Sequence, residues 1–591
     1  MLLDGAALKL GTTAAGDLAY SAKPTGQVKS LSADGLVRGP YSQSFRSLAI
    51  GFQTHHPHGR TGKGARRRGG GSTRRGKWDE VKLWQMGYKQ ELHRSFTMLN
   101  NMAVSTSVLS FYAFMETYGT QGLAYGGPVS VMWGWVLCSV FSIVVALCLA
   151  ELLSAFPTSG GIYYWSWALA PSRHRTVLCW MAGWLNLLGQ VAFTAGLEYA
   201  LAQSIAAAVF VQTGRGSAGG GVELSRSAVL GVLAGCLALH VLLNCVSTSL
   251  TAFLNTLSFF WHILATLALC GALLYVAPRL NSAEYVFTTW TPNTERHGIE
   301  NPTYIFFMGL LMSQWVIMGY DASIHVVEET VDADVAGSRA LVGSVAVCSG
   351  LGFVLLACLT ASMQSLASVL DPTATGGHNA VMQLMWDVFR ARYGSGYGAV
   401  GLSYIPLVGL FFCANASLAA NARMAFAFSR DGAMPGARIW RRLRNQHTEA
   451  PTSTRLPVNA CCLTAALAGL LAVPCCYNDK FFATVSAGSV VALSLSYGIP
   501  ISLRAFHMGA SFIPGPFSLG RAGRPLAVVA CGWILLTSVV FVLPNAYPVT
   551  AGNANYTAAL VAAVLALAAV LFYAPGFGGR AWFTGPAPNM D

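Results

Sequence analysis

Gln314-Trp315-Val316-Ile317-Met318-Gly319-Tyr320-Asp321-Ala322-Ser323 lies inside an apolar block that runs from 302 to 331. An unbroken membrane helix has no use for Gly, Tyr and Asp side by side at mid-depth, and His325, Glu328 and Glu329 follow close behind. Irregular backbone survives at membrane depth only where protein or a water-filled cavity satisfies its polar groups, so an interrupted span marks a transport site. A second interruption stands at Ser105-Thr106-Ser107-Val108-Leu109-Ser110-Phe111-Tyr112-Ala113-Phe114-Met115-Glu116, with hydroxyls before the midpoint and an acid after it.

Around these two stretches the 591-residue chain is 54% hydrophobic and 10% charged, with a mean hydropathy of +0.50. Soluble proteins carry about 25% charged residues, so an ordinary water-facing surface is excluded. A spanning helix needs about 20 mainly apolar residues. Twelve blocks qualify: 96–120, 129–155, 177–211, 227–246, 251–277, 302–331, 340–363, 398–428, 457–474, 481–503, 525–544 and 556–573. Between the seventh and eighth, 376–393 has the pattern of a surface loop helix.

The interrupted blocks are numbers one and six. Those two hold equivalent places if the first ten spans form two five-helix inverted repeats, in which broken helices face each other around a substrate. The sequence therefore predicts an all-α integral membrane protein of twelve transmembrane helices, with a five-plus-five inverted repeat (95–277 and 302–503), two C-terminal helices (525–573) and a C-terminal tail (574–591). Half-helix N-termini suit a carboxylate and freed carbonyls suit an ammonium, so a zwitterionic amino acid is the expected substrate.

The formal net charge of +13 is concentrated in the N-terminal tail: residues 1–94 hold 16 Lys+Arg and 6 Asp+Glu, the remainder 21 and 18. Arg60 to Lys77 (RTGKGARRRGGGSTRRGK) is Gly- and Arg-rich, too polar to bury a core, so the tail is predicted to be mostly disordered and cytosolic. No aromatic residues interleave the Arg run, which argues against nucleic acid. Asp4, Asp17 and Asp34 count against a targeting peptide. Beyond the tail, 13 of the 21 basic residues fall in loops on the tail's side, placing both termini in the cytosol by the positive-inside rule. The plasma membrane is the expected location and an organelle membrane the alternative. The fourteen cysteines form no C-x-x-C pair, and no metal or cofactor is expected. No nucleophile-base pair or phosphate loop points to an enzyme. Asn555-Tyr556-Thr557 is a glycosylation sequon in an outer loop.

Longer motifs carry a family resemblance. Glu151 to Trp165 (ELLSAFPTSGGIYYW) resembles the signature that ends span two in the amino acid, polyamine and organocation (APC) superfamily of permeases. Met318 to Glu329 (MGYDASIHVVEE), Arg423 to Pro435 (RMAFAFSRDGAMP) and Phe512 to Gly520 (FIPGPFSLG) are similar to its amino-acid/choline branch, and closest to plant and algal bidirectional amino-acid transporters, also called GABA permeases. The resemblance runs from about Gly87 to Phe583-Thr584-Gly585-Pro586. It implies a leucine-transporter fold working by alternating access as a secondary transporter of small amino acids. One departure stands out: Phe114, with Glu116 two residues on, occupies the place of a Gly in the unwound part of span one, which is expected to shrink the pocket or change its selectivity, so GABA is one candidate among the small amino acids and not the substrate the resemblance alone assigns.

The residues expected to bind substrate are Ser110, Phe111, Tyr112, Ala113, Phe114, Glu116, Met318, Gly319, Tyr320 and Asp321. Glu116 and Asp321 are acids within spans, costly in lipid and so functional or paired; the plainer readings are outer water for Glu116 and a helix cap for Asp321. His262 in span five is the candidate for proton coupling, since that helix borders the cation position of sodium-coupled relatives and His titrates near neutrality. His240 in span four is a weaker one. Glu151, Glu328, Glu329, Arg430 and Asp431 sit at cytosolic helix ends, where ion pairs would latch a gate. Trp165, Trp180 and Trp184 read as interfacial anchors. The alternatives are a choline or polyamine permease of the same fold, and a nutrient receptor that binds without transporting.

Overall fold

The computed structural model describes residues 71–92, 94–213, 221–371, 379–445, 455–576 and 578–587. Its main helices are α1 (Gly71–Gln85), α2 (Met98–Val108), α3 (Gly127–Ala155), α4 (Gly161–Leu169), α5 (Arg175–Thr213), α6 (Arg226–Val246), α7 (Thr248–Val276), α8 (Pro302–Val316), α9 (Ala333–Ser362), α10 (Ala380–Tyr393), α11 (Gly398–Arg430), α12 (Val458–Ala472), α13 (Asp479–Ser502), α14 (Gly523–Val540) and α15 (Thr557–Tyr573). Among the described residues, nine helices are long and apolar enough to cross a membrane: α3, α5, α6, α7, α9 and α11, and α12, α13 and α14 with their flanking turns. α15 is a shorter apolar helix, and a two-residue ribbon pairs Arg444–Asn445 with Arg455–Leu456.

Polarity is distributed inside out. Leu264 on α7 is 64% exposed and Leu470 on α12 is 71% exposed, whereas Asn101, Glu198, His240 and Asp321 are fully buried. An apolar belt of this kind is at home in lipid, and in water it would be an aggregation site. The 39-residue α5 is the axial element, packing on α4, α6, α11, α12, α13 and α15.

Two helices stop short. α2 begins on a capping box in which Thr97 and Asn100 satisfy each other's backbone donors, and α8 begins with Asn301 capping and Pro302 in the first turn, as the chemistry of helix N-termini favours. α2 nevertheless ends at Val108 and resumes as the short turns Phe111–Ala113 and Phe114–Thr117. α8 ends at Val316 and resumes at Ala322–His325. Gly319 takes φ +87°, and a Cβ there would stand 2.8 Å from Val108 and 3.1 Å from Phe193. Conformation and space both require Gly.

We call the side where the chain reaches α2 the near face, and the opposite side the far face. At the near face Ser95 and Phe96 donate to the Glu329 carbonyl at 3.0 and 2.9 Å, and Val331 donates back to Phe96 at 2.9 Å. At the far face the Gly126 and Thr291 backbones bridge.

Three expectations are revised. The tail was expected to end at residue 94, but from Trp78 onward it packs on the bundle. Asp79 is buried and accepts from the Asp332 and Ala333 backbone N-H groups at 2.9 and 3.2 Å, capping α9 from outside, and Lys82 pairs with Asp334 at 2.6 Å. Most of the run Arg60 to Lys77, and the disorder expected of the rest of the tail, lie outside the described residues. Trp165 and Trp180 are buried, donating to the Phe156 and Ala568 carbonyls at 2.9 Å each, so they are packing residues and not lipid anchors. Asn555 donates its side-chain amide to the Phe541 and Leu543 carbonyls at 2.9 and 2.8 Å, and a glycan, which replaces one of the two amide hydrogens, would break at least one of these bonds.

Candidate functional site

The two interruptions lie against each other. Ser105 Oγ donates to the Tyr320 carbonyl at 3.0 Å, accepts from the Ser323 backbone N-H at 2.9 Å, and meets Ser323 Oγ at 2.5 Å. One turn earlier, Asn101 Nδ2 donates to the Ser323 carbonyl at 3.2 Å and to Thr330 Oγ1 at 2.8 Å. The fragment that restarts at Ala322 is therefore capped by a serine from the other broken span.

Ser110, Phe111, Tyr112 and Ala113 form the irregular segment of the first span, all buried. His262 on α7 stands beside it. Its Nδ1 donates to the Ser258 carbonyl at 2.7 Å, which leaves Nε2 of the neutral ring to accept from Ser110 Oγ at 2.6 Å. Tyr112 is held by a 2.6 Å hydroxyl bond to Thr266, and Gly409 on α11 leaves its ring room, since a Cβ there would lie 2.1 Å from it. Phe114 differs from expectation. It has helical backbone angles (φ −65°, ψ −13°) just past the irregular segment, so nothing in the backbone at that position demands Gly. Glu116 is half-buried toward the far face and accepts from Ser204 on α5 and from Asn379, the residue capping α10, each at 2.9 Å.

In the second break Met318, Gly319, Tyr320 and Asp321 are consecutive, and the three with side chains are buried. The Gly319 carbonyl accepts from Ala322 N-H at 3.1 Å. Asp321 makes no capping bond to its own helix. Two amides of α5 hold it instead, Asn186 Nδ2 at 3.0 Å and Gln190 Nε2 at 2.8 Å, with His325 Nε2 at 3.4 Å. Buried carboxylates persist when partnered in this way. The Tyr320 and Tyr497 rings are 5.5 Å apart.

The near-face acids separate into distinct contacts. Arg430 clasps Glu328 through both terminal nitrogens at 3.0 and 3.1 Å, while Thr158 Oγ1 and Ser159 N-H donate to the same carboxylate at 3.1 and 2.9 Å. Arg423 holds Glu329 through Nε and Nη2. Asp431 accepts from Tyr88 OH at 3.0 Å, Tyr163 OH at 2.7 Å and Ala587 N-H at 3.3 Å, and burial pushes its carboxyl up from 3.8 to about 6. Glu151 stands apart with Arg504, 3.2 Å away, and Leu519 N-H, at 3.0 Å. Asn101, Ser105, Asn186, Gln190, Ser323 and Arg423 had escaped the sequence reading as site residues. Their partners lie between 94 and 229 positions away along the chain. A separate cavity of about 660 Å³, lined by Ile299, Tyr304, Phe307 and Tyr547, opens on the far face away from both breaks.

Residues 99–565 match the family model described as amino acid permease. The chain is similar to Amino-acid permease BAT1 of Arabidopsis thaliana, 38% identical over 512 residues covering 86% of this chain and 96% of that protein. It is similar as well to the Amino-acid permease BAT1 homolog of Oryza sativa subsp. japonica, 36% identical over 524 residues (88% and 97%). The GABA-specific permease of Saccharomyces cerevisiae is 26% identical over 522 residues (87% and 86%).

Two measurements check the near-face network. Arg430→Met leaves Glu328 buried and unpaired, a loss of about 3–5 kcal/mol, whereas Glu328→Gln combined with Arg430→Met is expected to recover much of it; additive losses in detergent melting curves would contradict the pairing. Because the folded-state pKa of Asp431 is raised, the folded chain binds its proton more tightly than the unfolded chain does. The resulting stability is fully present below 3.8 and is lost as pH rises through about 6. Asp431→Asn is expected to flatten the stability gained between those limits on acidification, and an unchanged pH profile would refute it.

Proposed function

The chain belongs to the amino acid permease family, a transporter and not an enzyme, and on that premise we propose that it carries small amino acids by alternating access around its two broken helices. The nine long helices, the two interrupted spans and α15 make up the twelve spans of this reading, with the first ten arranged as two inverted five-helix repeats. The near face is the cytosolic one and holds both termini, in keeping with the basic loops there, and the plasma membrane is the assigned location.

The observation that carries the reading is the junction of the two breaks through Ser105, Tyr320 and Ser323. The fragment restarting at Phe111 offers its first N-H groups and the positive end of its dipole to a substrate carboxylate. Carbonyls of the second break, that of Met318 foremost, receive the ammonium. Tyr112, Phe114 and Tyr320 shape the side-chain pocket, and His262 fixes the Ser110 hydroxyl beside it. Asp321, braced by Asn186 and Gln190, keeps the second break in register. Glu328–Arg430 and Glu329–Arg423 close the cytosolic side, with Tyr88 and Tyr163 on Asp431 holding the tail across it.

Purified protein in liposomes is expected to take up labelled small amino acids saturably. Asp321→Asn, which removes charged hydrogen bonds worth about 1.5–3 kcal/mol each, is expected to lower that flux about tenfold or more. Absence of saturable flux for every amino acid tested would refute the reading, and flux confined to choline or polyamines would replace the substrate class.

A further inference from the structure

Glu198 on α5 and His240 on α6 form a pair that the two breaks do not use. Both are fully buried, and His240 Nδ1 lies 2.6 Å from Glu198 Oε1. Among the described residues Glu198 Oε2 and His240 Nε2 have no hydrogen-bond partner, and the His240 ring packs on Phe411 at 4.5 Å. Among the described residues no Lys or Arg pairs with Glu198.

Charge counting gives the pair a task. With one proton shared between Nδ1 and Oε1, a neutral imidazole faces a carboxylate and the pair carries a net negative charge. In a low-dielectric interior a net charge without a counter-charge is costly. A second proton makes the pair neutral, as imidazolium with carboxylate or imidazole with carboxylic acid. It resides on Nε2 or Oε2, the two atoms left open to receive it.

The other titratable groups nearby are uncharged or engaged elsewhere. Cys236 on α6 and Cys413 on α11 are thiols within electrostatic reach of Glu198. From α7, His262 is occupied by Ser258 and Ser110, and from α12, the free thiol of Cys461 is hydrogen-bonded with that of Cys245 on α6.

The pair is tied to the first break through α11. Gly409 makes room for Tyr112, Cys413 donates to the Val108 carbonyl at 3.3 Å, Asn415 accepts from Asn244 one turn beyond His240 at 2.9 Å, and Ser417 meets Thr194 one turn before Glu198 at 2.9 Å. A rearrangement that opens the first break to one side has to shift α11, and with it the packing that keeps water from the pair.

We propose that the buried Glu198–His240 pair is the proton-binding site that couples amino-acid movement to a proton gradient, holding one extra proton while shielded and releasing it when the breaks reorganise. This rests on the transporter reading above. In proteoliposomes, Glu198→Gln and His240→Gln are expected to retain counterflow of labelled amino acid at equal pH. Both are expected to lose accumulation driven by an inward proton gradient, the pH dependence of uptake, and substrate-dependent acidification of the lumen. Retained acidification in both variants, or its loss in His262→Asn alone, would overturn the proposal, as would loss of counterflow together with coupling. Where a variant fails to fold, purified wild-type protein decides with a pH dye: amino-acid binding that leaves the number of bound protons unchanged overturns the assignment. Amino-acid flux in wild type without proton movement defeats this inference and leaves transport intact, whereas no flux at all defeats the transport reading.

Discussion

A helix that stops halfway through a bundle set in lipid leaves backbone donors and acceptors that hydrocarbon cannot satisfy, each costing several kcal/mol (~2–7). This chain sets two broken helices side by side, and side chains of the first satisfy backbone groups of the second. A single hydroxyl, Ser105 Oγ, donates to the Tyr320 carbonyl of the second break and accepts from its restarting helix, while Asn101 repeats the tie one turn below.

The rest of the bundle follows from protecting that junction. α5 runs past both breaks with polar residues on one face: Asn186 and Gln190 reach Asp321, Thr194 reaches Ser417, Glu198 reaches His240, and Ser204 reaches Glu116. At the near face the chain spends three buried Arg–Glu contacts and a carboxylate between two tyrosines. Buried pairs of this kind contribute little net stability but specify one arrangement. In the proposed transport cycle such contacts suit a closure that is definite and still reversible.

Much of this was legible in the chain. The breaks announce themselves because Gly319 and Asp321 violate local rules that any membrane helix obeys, and violations of local rules gather at functional sites. His262 was identifiable as a polar residue in an apolar span, although its contact with Ser110 was not. What escaped depends on long-range pairing. Asn186 and Gln190 look like ordinary polar residues of a long helix until Asp321, 135 and 131 positions away, is brought against them. Trp180 misled because amphipathic rings suit an interface and a core equally well. The segment after Trp78 was hidden by the Gly- and Arg-rich run before it, although Asp79, Leu83 and Tyr88 supply a buried face.

In the proposed mechanism substrate binds where the two breaks meet. Ser110→Cys in a background with the native cysteines replaced tests this most directly, through the rate at which a small thiol reagent labels that position with and without amino acid. Slower labelling at Ser110→Cys when transported amino acid is present, with Leu264→Cys on the lipid-facing side of α7 unaffected, is the result expected. Labelling of Ser110→Cys that ignores substrate, in protein that still transports, would contradict it.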